Sequence, residues 1–570
     1  MSYPRYSRRR QMVLDGIWEF CFLPDCGDPE TLDPAGIETP DPIPVPSAFD
    51  AYPAWAGRRG TALYRRRFPM TPGRAGELEF ESAGMWVRVW IDGVPCGEHT
   101  PGYVPFTIPV PPADAPVREV TVVVDNRQDW KRAPLYERFF DFYCYGGIFR
   151  SVTLYELPEL FFRRCEVTPR DAAAGIVSVK LELAPAFTGE RPLRFAFDSG
   201  AELERSVRFE AGMAELELTV PSPRLWSPES PQLHTLRVDA GTDDVTVRFG
   251  LRELRTEAGR ILLNGRPVKL LGVCRHEAHP QFGPALPDAQ IVQDLQLIRR
   301  LGCNFVRGVH YPQDRRFLEL CDELGILVWE ESLGWGQNRT HFTDPIFVAA
   351  QLEQTRAMIR ASYNHPCVIL RGFLNEGESD AEEARNCYES LIRLIREEDP
   401  GRLVTYASFK RRTDLFLDQV DVIGYNTYPG WYNAVDDENP VEQVLPKMRS
   451  DIAFLQGRPE LRDKPLIFSE IGGGAIYGRH DALNGPWTEE FQEELLRTIC
   501  REVVRNRRIA GVALWQFCDC RTYNCGRALG RPRAFNNKGL FDEYRRPKRA
   551  AAAVAAVFSG YWKKRAREEK

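Results

Sequence analysis

Seven apolar segments from residue 264 onward end on side chains that can carry charge, donate hydrogen bonds or lie flat against a ring. They end on Arg275-His276-Glu277, Arg307 with His310-Tyr311, Glu330-Glu331, Asn375-Glu376, Asn426 with Tyr428, Ser469-Glu470, and Trp515-Gln516. Carboxylates beside aromatic platforms, without a Gly-rich phosphate cradle, suit cleavage of a glycosidic bond. One carboxylic acid must protonate a poor alkoxide leaving group, and one carboxylate must attack or stabilise an oxocarbenium-like centre. Other hydrolytic chemistries fit less well. No G-x-S-x-G nucleophile elbow occurs, and the cysteines lack a convincing histidine partner. His276 and His279 could ligate zinc, but no third ligand is evident. The chemistry needs no cofactor, and the sequence offers no convincing metal site.

The elements that must position these residues change in texture along the chain. Residues 1–157 read as all-β: short runs such as MWVRVWIDG (85–93) and EVTVVVDN (119–126) are separated by Pro, Gly and Asp clusters. Val87, Val89 and Ile91 fall on one strand face and Arg88, Trp90 and Asp92 on the other. Residues 158–256 continue in β, with the alternation of an antiparallel sandwich. From 257 to 570 the pattern becomes βαβα. NGRPVKLLGV (264–273) leads into a strand, and DAQIVQDLQLIRRL (288–301) puts Ile291, Leu295 and Ile298 at helical spacing behind a capping Asp288. Near-continuous apolar strands alternating with helices predict a parallel sheet with helices outside. About eight such strands over roughly 300 residues favour a closed (β/α)8 TIM barrel, whose site lies at the C-terminal ends of the strands.

Composition narrows the partners. The chain has 570 residues, a length suited to several domains, and 75 basic against 80 acidic residues. That balance gives no electrostatic case for nucleic acid as a partner. The basic clusters Arg8-Arg9-Arg10 and Lys563-Lys564-Arg565 read as solvated termini. The N-terminus lacks the apolar run of a signal peptide, and no segment approaches the ~18 apolar residues of a membrane span. A cytoplasmic protein without a membrane partner is the expectation. The 14 cysteines fit it, since most lie in apolar segments where thiols act as small core residues. Cys518, Cys520 and Cys525 match no zinc spacing and read as structural thiols.

Five motifs resemble glycoside hydrolase family 2, which includes β-galactosidases, β-mannosidases and β-glucuronidases. They are GGIFRSVTLY (146–155), NGRPVKLLGVCRHE (264–277), NFVRGVHYP (304–312), NHPCVILRGFLNEGE (364–378) and PLIFSEIG (465–472). The resemblance extends over the whole chain. It implies a sugar-binding-like jelly-roll β-sandwich over 1–157, an immunoglobulin-like β-sandwich over 158–256 and a catalytic TIM barrel over 257–570. It also implies an oligomer. In its terms Glu376, after Asn375 at the end of the fourth strand, is the acid/base, and Glu470 at the end of the seventh is the nucleophile. A retaining pair of this kind stands about 5–5.5 Å apart. Glu376 must then be protonated for the first step while Glu470 stays ionised.

The segment FNNKGLFDEYRRPK (535–548) resembles the element by which β-glucuronidases bind a uronate carboxylate, here through Asn536 and Lys538. A full positive charge and an amide donor suit an anionic group, although Asn-Asn-Lys-Gly is also good turn chemistry. Asp141, His276, Tyr428, Tyr432 and Trp515 match the same branch. Arg339, eight residues after Glu331, resembles the β-galacturonidase branch, in which a guanidinium reaches the C4 side of the sugar. The expected substrate is thus a terminal β-galacturonide, ahead of a β-glucuronide, on a small conjugate or oligosaccharide. The alternative, a family 2 enzyme acting on neutral sugars, expects Lys538 to face away from the pocket.

Overall fold

The computed structural model describes residues 3–128, 132, 135, 140–432, 439–523 and 530–568. Cys525, one of the three clustered cysteines considered as a metal site, lies outside them. In the first β region a six-stranded antiparallel sheet runs in the order 41–45, 16–23, 61–69, 117–125, 86–91, 94–99, and a four-stranded sheet in the order 11–13, 152–156, 76–80, 106–110. Their inner faces share one core, in which Val87, Val89 and Ile91 pack with Leu78, Phe80 and Ile108. Trp90, on the opposite face of the 86–91 strand, packs with Trp86 and Leu63 in a separate cluster.

The second β region pairs a three-stranded sheet (161–171, 176–184, 213–219) with a four-stranded one (202–209, 189–197, 234–239, 244–249). Phe162, Val179, Phe195 and Val247 fill the space between them. The Arg8-Arg9-Arg10 run departs at Arg9 from the solvated terminus expected of it, while Arg8 and Arg10 stay exposed. Arg9 is buried against Asp243, Arg8 pairs with Asp239 and Arg10 with Glu156. The cluster therefore laces the start of the chain to the strands of both sandwiches.

A short meander (254–257, 260–263, 266–268) leads into the barrel. Its strands are β1 (Leu270–Arg275), β2 (Phe305–Gly308), β3 (Leu327–Glu331), β4 (Val368–Gly372), β5 in two pieces (Leu403–Val404 and Ala407–Ser408), β6 (Ile423–Asn426), β7 (Leu466–Ile471) and β8 (Ile509–Leu514). Neighbours pair in parallel, and β8 returns to β1 through Leu270–Gly511. β5 divides its bonding, its first piece pairing with β4 and its second with β6. Every barrel-strand residue is buried, which is why these strands read as unbroken apolar runs.

Helices pack outside, among them α1 (Asp288–Arg300), α2 (Arg315–Leu324), α3 (Arg339–Phe342), α4 (Pro345–Ser362), α5 (Arg385–Glu398), α6 (Val444–Gln456), α7 (Glu489–Arg505) and α8 (Arg549–Glu568). Asp288 does not cap α1 as expected. It is the first helical residue, after Pro287, and no side chain bonds the helix start. Its charge still lies at the positive end of the helix dipole. No described helix is long and apolar enough to cross a membrane.

The first sandwich leans on the mouth of the barrel. Tyr103 stacks on Tyr311 with ring centroids 4.0 Å apart, and buried Arg150 donates to Glu277 and to the Pro312 carbonyl, each at 2.8 Å. This contact brings Phe142 against His276, His310 and Tyr311. The barrel mouth is thus walled partly by another domain.

Candidate active site

A cavity of about 450 Å³ opens at this mouth, and both Glu376 and Glu470 line it. Beyond β4 the chain turns through Leu374 and Glu376 at left-handed φ of 45° and 54°, a region costing a non-glycine residue roughly 1–2 kcal/mol. The Glu376 N–H donates to the Ala407 carbonyl at 3.0 Å, pinning the turn to β5. Glu470 lies within β7, one residue from its end.

Arg307 on β2 organises the floor. Its Nη1 donates to Glu470 Oε1 at 3.0 Å, its Nη2 to Asn375 Oδ1 at 2.8 Å, and its Nε and Nη2 fork onto Glu331 at 3.0–3.1 Å. Tyr428 donates its hydroxyl to Glu470 Oε2 at 2.7 Å. His310 Nδ1 is 2.7 Å from Glu331 Oε1. Asn426 donates to both Glu376 Oε1 and Asn375 Oδ1 at 3.0 Å, and its own Oδ1 accepts from Ser469 at 2.8 Å. The two glutamates are thereby held by different partners.

Those partners separate their proton affinities. Burial and the nearby Glu470 charge push the Glu376 carboxyl up to about 8, against a hydrogen bond from Asn426 and a smaller pull from the Arg307 cation. Burial also raises Glu470, but the Arg307 cation and the Tyr428 hydroxyl oppose it. The result is a carboxyl protonated at neutral pH beside one whose charged form has a cation and a donor. That pairing is what cleavage by two carboxylates requires. Burial pushes Glu331 up to about 7, against the pull of Arg307, as expected where one cation faces two carboxylates.

A second cluster of charge lines the same cavity. Lys538, buried with 1% exposure, donates to the Tyr432 hydroxyl at 2.9 Å. Arg531 forks onto Asp141, with Nε 2.9 Å from Oδ1, and also reaches the Tyr432 hydroxyl at 3.3 Å. Asn536 donates to Asp141 Oδ2 at 3.1 Å. Two cations against one carboxylate leave this cluster net positive.

Among the sequence-predicted residues, Asp141, Tyr428, Tyr432, Trp515 and Lys538 line the cavity with the two glutamates. Asn375, His276 and Asn536 are buried behind it. His276 meets Trp515 edge-on at 5.6 Å and contacts the Tyr311 hydroxyl at 3.3 Å. Burial, with His310 and two arginines nearby, holds its imidazole well below the usual range and hence neutral. Arg339 is placed apart from these residues. It opens α3, its side chain is 63% exposed, and its guanidinium lies 3.8 Å from Glu378 and from Glu383. It is not among the residues that line the cavity.

His279, considered with His276 as a metal ligand, stacks on Phe282 with ring centroids 4.8 Å apart. Among the described residues, the group close enough to share an ion is Asp322, His365 and Cys367. There Asp322 is already bonded to the His365 ring and the Cys367 N–H. Cys518 and Cys520 are buried free thiols.

Arg531 was missed from sequence because GRPRAF (530–535) has no periodicity to mark it. Arg307 and Asn426 stood at strand ends, where position alone could have promoted them.

Comparison with known proteins agrees with this architecture. The family description "Glycosyl hydrolases family 2, TIM barrel domain" matches residues 254–561, more than half of the chain, and "Glycosyl hydrolases family 2" matches 167–252. A β-glucuronidase of Sus scrofa is 28% identical over 99% of this chain and 92% of its own. The structure of a β-galacturonidase from Eisenbergiella tayi bound to galacturonate is 36% identical, with a TM-score of 0.88 over 97% of this chain and 98% of that one. A Faecalibacterium prausnitzii β-glucuronidase is 27% identical, with a TM-score of 0.86 over 98% of both chains. With both barrel and sandwich matched, and relatives aligned along nearly its full length, the chain belongs to glycosyl hydrolase family 2 and is a glycosidase.

Proposed function

We propose that the protein is a retaining exo-β-hexuronidase that removes a terminal uronate, with galacturonide preferred over glucuronide. Glu470 attacks the anomeric carbon through a carboxylate oxygen. The glycosidic C–O bond breaks, its electron pair leaves with the oxygen, and Glu376 protonates that oxygen. In the second step Glu376, now a carboxylate, takes a proton from water. The water oxygen attacks the anomeric carbon and the Glu470 ester bond breaks, restoring both groups.

The observation that carries the uronate reading is the buried Lys538 ammonium in the cavity, joined there by Arg531. A neutral-sugar enzyme has no use for that net positive cluster, whereas a uronate carboxylate needs one. The galacturonide preference is supported by the higher identity to the Eisenbergiella tayi β-galacturonidase, 36% against 27% for the Faecalibacterium prausnitzii β-glucuronidase. Arg339 lends it no support, given its exposure.

Hydrolysis of aryl β-D-galacturonide, β-D-glucuronide and β-D-galactoside tests this reading. Galacturonide should be cleaved fastest and galactoside least. Lys538→Ala should cost the uronides about 2–4 kcal/mol, roughly 30- to 1000-fold in kcat/KM, as when one partner of a buried charge pair is removed. An equal loss on the galactoside would reject the carboxylate role. Arg339→Ala should shift the galacturonide/glucuronide ratio by no more than about twofold, the scale of an exposed substitution. A tenfold fall in that ratio would show that Arg339 reads the sugar after all.

A further inference from the structure

The cavity carries a second pair of cations that the reaction above does not use. Arg411 follows β5 and Lys447 sits on α6, and both line the cavity with Phe409. They share one anion. Arg411 Nη1 is 3.3 Å from Asp451 Oδ2, and Lys447 Nζ is 3.5 Å from Asp451 Oδ1. Two positive charges against one buried carboxylate leave this patch net positive, as at the uronate end. The two patches are built separately: Arg531 and Lys538 follow β8 and answer to Asp141 and Tyr432, whereas Arg411 and Lys447 answer to Asp451.

The connections of this second patch reach both glutamates: Thr427 donates its N–H to the Glu470 carbonyl at 2.8 Å, and the strand piece before Phe409 meets the acid/base turn. Ala407, whose carbonyl receives the Glu376 N–H, precedes Phe409 by two residues. Arg411 Nε donates back to the Phe409 carbonyl at 3.3 Å, and its Nη1 donates to Thr427 Oγ1 at 3.2 Å. A general acid stands beside the departing oxygen, so groups flanking it toward solvent meet the leaving group. Phe409 is 43% exposed there, an apolar face of the kind sugar rings lie against. Lys447 is 38% exposed and Arg411 26%, so a ligand could reach either without unfolding the patch.

We propose that the leaving group is itself an acidic sugar, its carboxylate bound by Arg411 and Lys447 and its ring against Phe409. The natural substrate is then the non-reducing end of an acidic oligosaccharide. The inference rests on the hexuronidase reading and adds the chemistry of the second sugar.

Two β-linked disaccharides test it, each with the same terminal uronate. One has a uronic acid as the second residue, the other the matching neutral hexose. Uronate release by the full-length enzyme should show kcat/KM at least tenfold higher for the acidic partner at low ionic strength, with the ratio shrinking as salt rises. Lys447→Met should lower that ratio threefold or more. Arg411→Gln should do the same, and Lys447 provides the answer if loss of Arg411 harms folding around Asp451. A ratio of one or below in the wild type, with the aryl uronide still cleaved, would overturn this inference alone. Failure to cleave any uronide would overturn the reading beneath it as well.

Discussion

Replacing Glu470 by glutamine should lower kcat/KM on an aryl β-uronide by roughly 10⁴- to 10⁶-fold, the scale met when a nucleophile is deleted, or about 5–8 kcal/mol. The amide is nearly isosteric. It can still accept from Arg307 and face the Tyr428 hydroxyl, the two partners of the native carboxylate. What it cannot do is attack carbon. The fold should not suffer, because the substitution removes one of two buried carboxylates that share the single Arg307 charge. A melting temperature equal to or above that of the wild type is therefore expected. A 2-deoxy-2-fluoro uronide with a good leaving group should add its mass to the wild-type peptide carrying Glu470 and to no peptide of the variant. Labelling elsewhere in the variant, or activity within tenfold of wild type, would reject Glu470 as nucleophile.

Glu376→Gln should divide substrates by leaving group. With a sugar or alkyl leaving group, loss of the general acid should cost roughly 10²- to 10⁴-fold. With a strongly activated aryl group, which departs without a proton, formation of the glycosyl-enzyme should remain measurable. The pH profile provides a second, independent readout. A carboxyl raised to about 8 is protonated below that pH, so the acid form is present at neutrality and lost as pH rises through about 8. Wild-type kcat/KM should therefore fall on the alkaline side near that value. On activated substrates, Glu376→Gln should lack that limb. The acidic limb, set by Glu470 taking up a proton, should persist in the variant. Equal losses on both substrate classes, with the alkaline limb intact, would remove Glu376 from the acid/base role.

Much of the barrel could be read from the sequence because each buried parallel strand carries its own signal. Strands covered on both faces must be apolar throughout, and the polar residue that ends such a run marks the mouth. GVCRHE, CNFVRGV and KPLIFSEIG lead to the site in this way, and Glu376 and Glu470 both line the cavity. The alternating faces of the 86–91 strand were legible for the same local reason, since a strand shows its two environments at every second residue.

The rest depended on contacts between distant segments. Asp141 reaches Asn536 across 395 positions, and Arg9 reaches Asp243 across 234. No periodicity encodes either meeting, so Arg9 read as a solvated charge and Arg531 was not singled out at all. Arg339 shows another limit of sequence reading. Its offset from the end of β3 resembles that of the β-galacturonidase branch, but sequence spacing does not determine which way a side chain on a four-residue helix points. Its guanidinium lies 3.8 Å from Glu378 and from Glu383, which the loop after β4 brings alongside. The strands and the ring of polar residues at their ends were legible in single segments, because burial on both faces and the chemistry at a strand's end are local; singling out Glu376, Glu470 and Lys538 within that ring came from the resemblance to family 2. Which charges meet across the cavity was decided only by tertiary packing, since an ion pair forms where two surfaces are pressed together, whatever their separation along the chain.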